Sequence, residues 1–159
     1  MIYKQSETMS VTDTYINLPD PVSQAAFYDG VAGKRLIAFL VDSVIIGLIT
    51  AILIPLTAFV ALIFFGFFGL IISIIYRTIS LSSGSATPGM RLMGIEFRTH
   101  QGERLSRNLA LAHTLFFHAS LAAGLPQLIS AILMATGARG QGLSDHILGT
   151  VAINRSAKR

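Results

Sequence analysis

Asp42 stands alone in a long apolar run. From Leu36 to Tyr76 the chain reads LIAFLVDSVIIGLITAILIPLTAFVALIFFGFFGLIISIIY, and Asp42 is its only charged residue. A carboxylate in that setting does one of two things. It binds an ion or a proton on a pathway, or it pairs with a buried cation and fixes helix packing. Arg77, Arg91 and His146 are the candidate partners for such a pair. Arg35 lies seven residues before Asp42, which is two helical turns, so both share a face about 10 Å apart along the axis. At that distance Arg35 reaches the headgroups rather than Asp42. A second carboxylate, Asp145, sits in GLSDH, where Ser144 or Asp145 would cap a helix. If the C-terminal segment folds back, Arg35 can stand between Asp42 and Asp145, because a guanidinium carries enough donors to bridge two carboxylates.

Other chemistries fit poorly. Gly84 and Gly89 have the G-x-x-x-x-G spacing of a phosphate loop, but Met90 and Arg91 follow where lysine and a hydroxyl residue are needed. Tight turns are the better reason for those glycines. His113 and His118 are five residues apart, about 140° around a helix, so they do not share a metal. They read as hydrogen-bonded interhelical histidines or as a proton relay. His100 is too scattered from the others to complete a ligand set. The chain has no cysteine, which excludes disulfides and thiolate metal sites. A protease using two aspartates needs carboxylates close enough to share a proton, and the flanks of Asp42 and Asp145 do not resemble such a site. No enzyme activity, cofactor or metal is expected.

The elements that must hold these residues follow from composition. Of 159 residues 52% are hydrophobic and 13% charged, about half the charge of a soluble domain. Residues 1–33 hold Lys4 against Glu7, Asp13, Asp20 and Asp29, a net −3; residues 34–159 hold eleven Lys/Arg against Asp42, Glu96, Glu103 and Asp145, a net +7. The cations cluster at the ends of apolar runs, as the positive-inside rule predicts for a membrane protein, and not as a nucleic-acid patch. No signal peptide is expected, since an acidic, polar lead precedes the first apolar run.

As one helix, residues 36–76 would be about 60 Å long, twice the roughly 30 Å hydrocarbon core. Pro55 divides the run, giving spans over 36–54 and 58–77 joined by IPLT. Lys34, Arg35 and Arg77 then share the cytoplasmic side. Gly47, Gly66 and Gly69 are small residues that allow helices to approach. Residues 25–34 read as an interfacial lead-in with Phe27 and Tyr28 near the headgroups. In the segment 82–106, Met93, Ile95 and Phe97 alternate with Gly94, Glu96 and Arg98 as in a strand. His100-Gln101-Gly102 reads as a turn into a short return strand. Ser106 caps a helix from Arg107. The apolar stretch 109–136 reads as two short helices, 107–123 and 125–137, broken at Gly124-Leu125-Pro126, with a single long third span as the alternative. TVAIN, residues 150–154, is a strand able to pair with GIEF.

Three segments in order resemble the RDD family of small bacterial membrane proteins: RLIAFLVD (35–42), GSATPGMRLMGI (84–95) and GLSDHILGTVAI (142–153). Met90 stands where that family often has lysine, and His146 follows rather than precedes Asp145. The resemblance implies a multi-pass protein of the bacterial cytoplasmic membrane, with Arg35, Asp42 and Asp145 as its named trio and transport as the usual suggestion. The expected organisation is a flexible cytoplasmic tail (1–26), a membrane domain (27–155) and a basic tail (156–159), with both termini cytoplasmic. The expected fold is an all-α membrane protein with two transmembrane helices, a cytoplasmic β-like hairpin and a broken C-terminal helical pair. Two functions follow. One is an ion- or proton-coupled transporter subunit with Asp42 as the working carboxylate. It would be a homo-oligomer, because so few spans hardly enclose a pathway. The other is a scaffold in which the trio is a structural clamp and the basic face meets a partner or anionic lipid.

Overall fold

The computed structural model describes residues 17–155; the expected basic tail and residues 1–16 of the expected N-terminal tail lie outside the described residues. Helix α1 (Val31–Leu53) starts after Gly30, whose φ of 66° breaks the chain, and ends before Pro55. Its 23 residues span about 34 Å, enough to cross a bilayer. Leu36, Leu40, Val44, Leu48 and Ile52 are 55–70% exposed along one flank, whereas Ala38, Asp42 and Thr50 are buried on the other. A soluble protein does not display such a flank; lipid is the solvent that suits it.

Helix α2 (Phe65–Gly84) begins seven residues later than the sequence pattern predicts. The cause is the connector. Pro55 opens one tight turn, and Ala58 and Phe59 both take left-handed backbone, so the chain makes two 3-10 turns before it becomes helical again. The shift moves Arg77 from the expected mouth of the span to two turns inside it. By length and composition α1 and α2 are each able to cross a membrane.

Helices α4 (Arg107–Ala123) and α5 (Leu125–Thr136) are the expected broken pair. Ser106 caps α4 by accepting from the Leu109 amide. Gly124, at φ 71°, and Pro126 break the run, and the chain bends by 114° there. Neither helix alone is long enough to span. Helix α4 packs chiefly on α2, and α5 leads the chain back toward the end at which α1 began.

That end carries a small folded cap. It contains α3 (Pro88–Leu92), β1 (Ile95–Thr99), α6 (Leu143–Leu148) and β2 (Thr150–Asn154). The expected local hairpin does not form. Strand β1 instead pairs antiparallel with β2, with Ile95 opposite Asn154 and Thr99 opposite Thr150, the pairing TVAIN allowed. Alternation identified β1 as a strand but carried no information about its partner. Residues 100–102 do turn, closed by the Gly102 amide on the Thr99 carbonyl, but no return strand follows. The buried core lies in the cap: Val31, Ala38, Leu81, Met90, Ile95, Phe97 and Ala152 form one cluster. Tyr28 packs with Val151 and Ile153 in a second cluster, and its hydroxyl donates to the Pro19 carbonyl. Thus the lead-in folds onto the sheet rather than facing headgroups.

Candidate functional site

Asp42 lies on the inner face of α1 and is 1% exposed. Three neutral donors fill it. The Tyr76 hydroxyl of α2 donates to Oδ1 at 2.8 Å, the Gly89 amide to the same oxygen at 2.9 Å, and the Thr87 hydroxyl to Oδ2 at 2.6 Å. The local sequence around Thr87 explains the fit. Thr87 also caps α3 by accepting from the Met90 amide, and Pro88 occupies the first helical position, where its missing N–H costs nothing. Gly89 allows close approach: a Cβ there would lie 2.3 Å from the Ala38 carbonyl oxygen and 2.8 Å from Asp42 Oδ1. The other glycine of the phosphate-loop-like spacing is equally internal. A Cβ on Gly84 would meet the Arg91 guanidinium at 2.5 Å.

The expectation that Asp42 pairs with a fixed cation, Arg77, Arg91 or His146, is therefore corrected. Arg91 turns back to the Ala86 carbonyl at 3.3 Å. His146 donates from Nδ1 to the Gly142 carbonyl in its own turn at 2.8 Å. Arg77 makes no hydrogen bond to the described residues; its guanidinium lies 4.7 Å from the ring centre of Phe117 and 5.7 Å from that of Phe39. Its charge neighbours Asp42 across a cavity of about 70 Å³, but no bond joins them.

Asp145 forms a separate, denser node and is fully buried. Arg35 donates to Oδ2 at 2.5 Å and to the Gly140 carbonyl at 3.2 Å, with its guanidinium 5.1 Å over the Phe97 ring. The Gly142 amide donates to Oδ2 at 2.8 Å, closing the first turn of α6. Thus Gly142, not Ser144 or Asp145, is the cap residue, and Asp145 reaches back from the third position. The His113 Nε2–H donates to Oδ1 at 2.9 Å and the Thr150 hydroxyl to the same oxygen at 3.0 Å. One carboxylate so ties α1, α4, α6 and β2 together. The expected bridge of Arg35 between both aspartates does not form; Arg35 and Asp42 each serve a different node, as their separation along α1 requires.

Four partners that pattern reading missed are Tyr76, Thr87, Gly89 and Thr150. Only Thr87 left a local signal, a threonine before proline at a helix start. His113 matches the reading as a hydrogen-bonded interhelical histidine, with the Asp145 carboxylate of α6 as its partner. His118 matches the interhelical reading, with Nε2 2.8 Å from the Ser73 hydroxyl and Nδ1–H donating to the Thr114 carbonyl. A further buried acid, Glu96, is held on β1 by Arg98 and by Arg155 at 2.8 Å. Lys34 donates to the Asn154 side chain at 2.7 Å, fixing α1 to β2.

The cap acids titrate below their ordinary range. Burial pushes the Asp145 carboxyl up, but the charge of Arg35 and the hydrogen bonds of His113 and Arg35 outweigh it and hold it well below the usual carboxylate range. Burial also raises Glu96, and Arg155 and Arg98 lower it further than burial raises it. Groups depressed in this way stabilise the fold while ionised. That contribution is complete above the unfolded-state values, near 4, and disappears as the pH falls through the folded ones. Melting temperature followed in detergent should therefore be insensitive to these two acids from about pH 7 to 5 and drop steeply below about pH 4. A flat profile down to pH 3 would contradict the assignment.

A comparison with protein families matches residues 30–149 to the RDD family. No match emerges among curated proteins or among solved structures. The match covers α1 through the end of α6 and so includes both carboxylate nodes and the Thr-Pro-Gly turn that seats Asp42. The chain belongs to the RDD family.

Proposed function

We propose that this chain is a non-catalytic membrane protein of the scaffold or accessory type, in which Arg35, Asp42 and Asp145 act as a structural clamp. One observation carries the reading: every donor on Asp42 is a neutral group of the protein itself, drawn from α2 and from the Thr87–Gly89 turn. A carboxylate that carries ions must exchange ligands, and this one is occupied by groups that cannot leave without opening the cap. Asp145 is equally closed, with four donors. The clamp holds the cap on the helices. Arg35, Arg91, Arg98 and Arg155 gather at that end, which favours a cytoplasmic cap in a bacterial inner membrane and a surface able to meet a partner or anionic lipid.

The second reading is an ion- or proton-coupled transporter subunit acting as a homo-oligomer. It is favoured by the small cavity that Asp42, Arg77 and His113 help to line. Purified protein in liposomes loaded with a pH-sensitive dye separates the two. Pulses of Na⁺, K⁺ or Li⁺ should give no cation-dependent pH change with wild type, and Asp42→Asn should melt at a lower temperature. A flux in wild type that a folded Asp42→Asn loses would replace the clamp by the transporter.

A further inference from the structure

Arg77 stands at the wall between two unlike spaces. On one side is a cavity of about 70 Å³ in which Arg35, Asp42 and His113 meet Phe39, Phe97 and Phe117. On the other is an apolar groove of about 340 Å³ between α1, α2 and α4, which shares Phe39, Arg77 and Phe117 with that cavity. Its size lies within the roughly 300–1,000 Å³ of small-molecule sites.

The smaller cavity holds two donors that make no hydrogen bond to the described residues. Arg77 Nε is buried and has no partner among the described residues. The Thr114 hydroxyl, on a residue 1% exposed, also lines the cavity without a partner. A buried guanidinium nitrogen with no hydrogen bond is costly. Asp42, which already receives Tyr76, Thr87 and Gly89, makes no hydrogen bond to it. The charges around the nodes are also unequal. Arg35, Arg77 and Arg91 stand against Asp42 and Asp145, and Arg91 has no carboxylate partner among the described residues. One monoanion would balance them.

The apolar side is open for a chain. A Cβ on Gly47, Gly66 or Gly69 would meet nothing within 4 Å. These glycines line the groove without packing against a neighbouring helix. The groove runs from Arg77 along the helices toward Thr50 and Phe65, away from the cap. A lipid on the cap side of a bilayer lies in the same direction, head toward the cap and tail toward the other end.

We propose that this seam binds one long-chain fatty carboxylate, its acid oxygens accepting from Arg77 and the Thr114 hydroxyl and its alkyl chain lying in the glycine-lined groove. The size of the smaller cavity favours a carboxylate over a glycerophosphate head. The proposal goes beyond the clamp and needs only that the chain is a membrane protein, so the liposome experiment and the following one fail separately.

The test is binding of radiolabelled palmitate to delipidated protein in detergent. Wild type should bind it saturably, one per chain. Arg77→Gln removes charge-assisted hydrogen bonds and should weaken binding about tenfold or more. Gly69→Leu fills the groove without touching Arg77 and should do the same; its open surroundings keep the fold, so it decides the matter if Arg77→Gln fails to fold. Excess acetate should not compete, and hexadecanol should compete poorly. Palmitate binding that is absent from folded wild type, or unchanged in Gly69→Leu, overturns the proposal. Full competition by acetate would also overturn it and leave a small-anion site.

Discussion

Asp145→Ala is expected to remove most of the stability of the cap. The carboxylate receives Arg35, His113, Thr150 and the Gly142 amide, all in a fully buried setting. Deleting it takes the carboxylate from the Arg35 guanidinium, which keeps only the Gly140 carbonyl, and leaves three further donors without acceptors. Breaking one partner of a buried ion pair costs about 3–5 kcal/mol, against total stabilities of about 5–15 kcal/mol. The variant should be poorly expressed, or should melt far below wild type in detergent. The interaction is pairwise, so a cycle can isolate it. Adding Arg35→Met to Asp145→Ala should recover part of the loss, because the stranded charge is gone. An unchanged melting temperature in the single variant would remove Asp145 from the clamp.

Gly89→Ala is the second large effect, and its cause is contact rather than backbone strain. The new methyl would sit 2.3 Å from the Ala38 carbonyl oxygen, which belongs to the rigid backbone of α1. The turn must back away, and it carries two of the three hydrogen bonds to Asp42. Overpacking costs about 1–3 kcal/mol and each lost bond to a buried carboxylate about as much again. Gly66→Ala is the control. Its Cβ meets nothing within 4 Å, and alanine is the better helix former by about 0.5–1 kcal/mol. Thermal melts should show a large fall for the first variant and none for the second. Equal melting temperatures would mean that Gly89 does not seat Asp42.

Much of the fold was legible because it rests on local signals. Excess length and Pro55 divided the first apolar run, Gly124 and Pro126 broke the last, and TVAIN was a strand looking for GIEF. The misplaced start of α2 has a different cause. Ala58 and Phe59 adopt left-handed backbone, a conformation that neither residue type advertises. The site was half legible. A lone aspartate in an apolar helix marks itself, and so does an arginine two turns away. Their partners come from 34 to 110 residues further along the chain, and a hydroxyl or a backbone amide leaves no mark in composition. The search for a charge opposite Asp42 failed because its donors are neutral.

The pairing of β1 with β2 also sets an order of events during synthesis. Strand β1 leaves the ribosome about 50 residues ahead of its partner, and at about 5–20 residues per second it waits several seconds with its edge bare. Arg35 waits longer still, since Asp145 follows it by 110 residues. The hydrophobic helices therefore leave the ribosome before the cap has any means of closing. The nascent protein is in effect a set of apolar helices first and a folded cap second, and a ribosome stalled before Asp145 would leave a chain whose unpaired strand and stranded arginine are exposed to proteases.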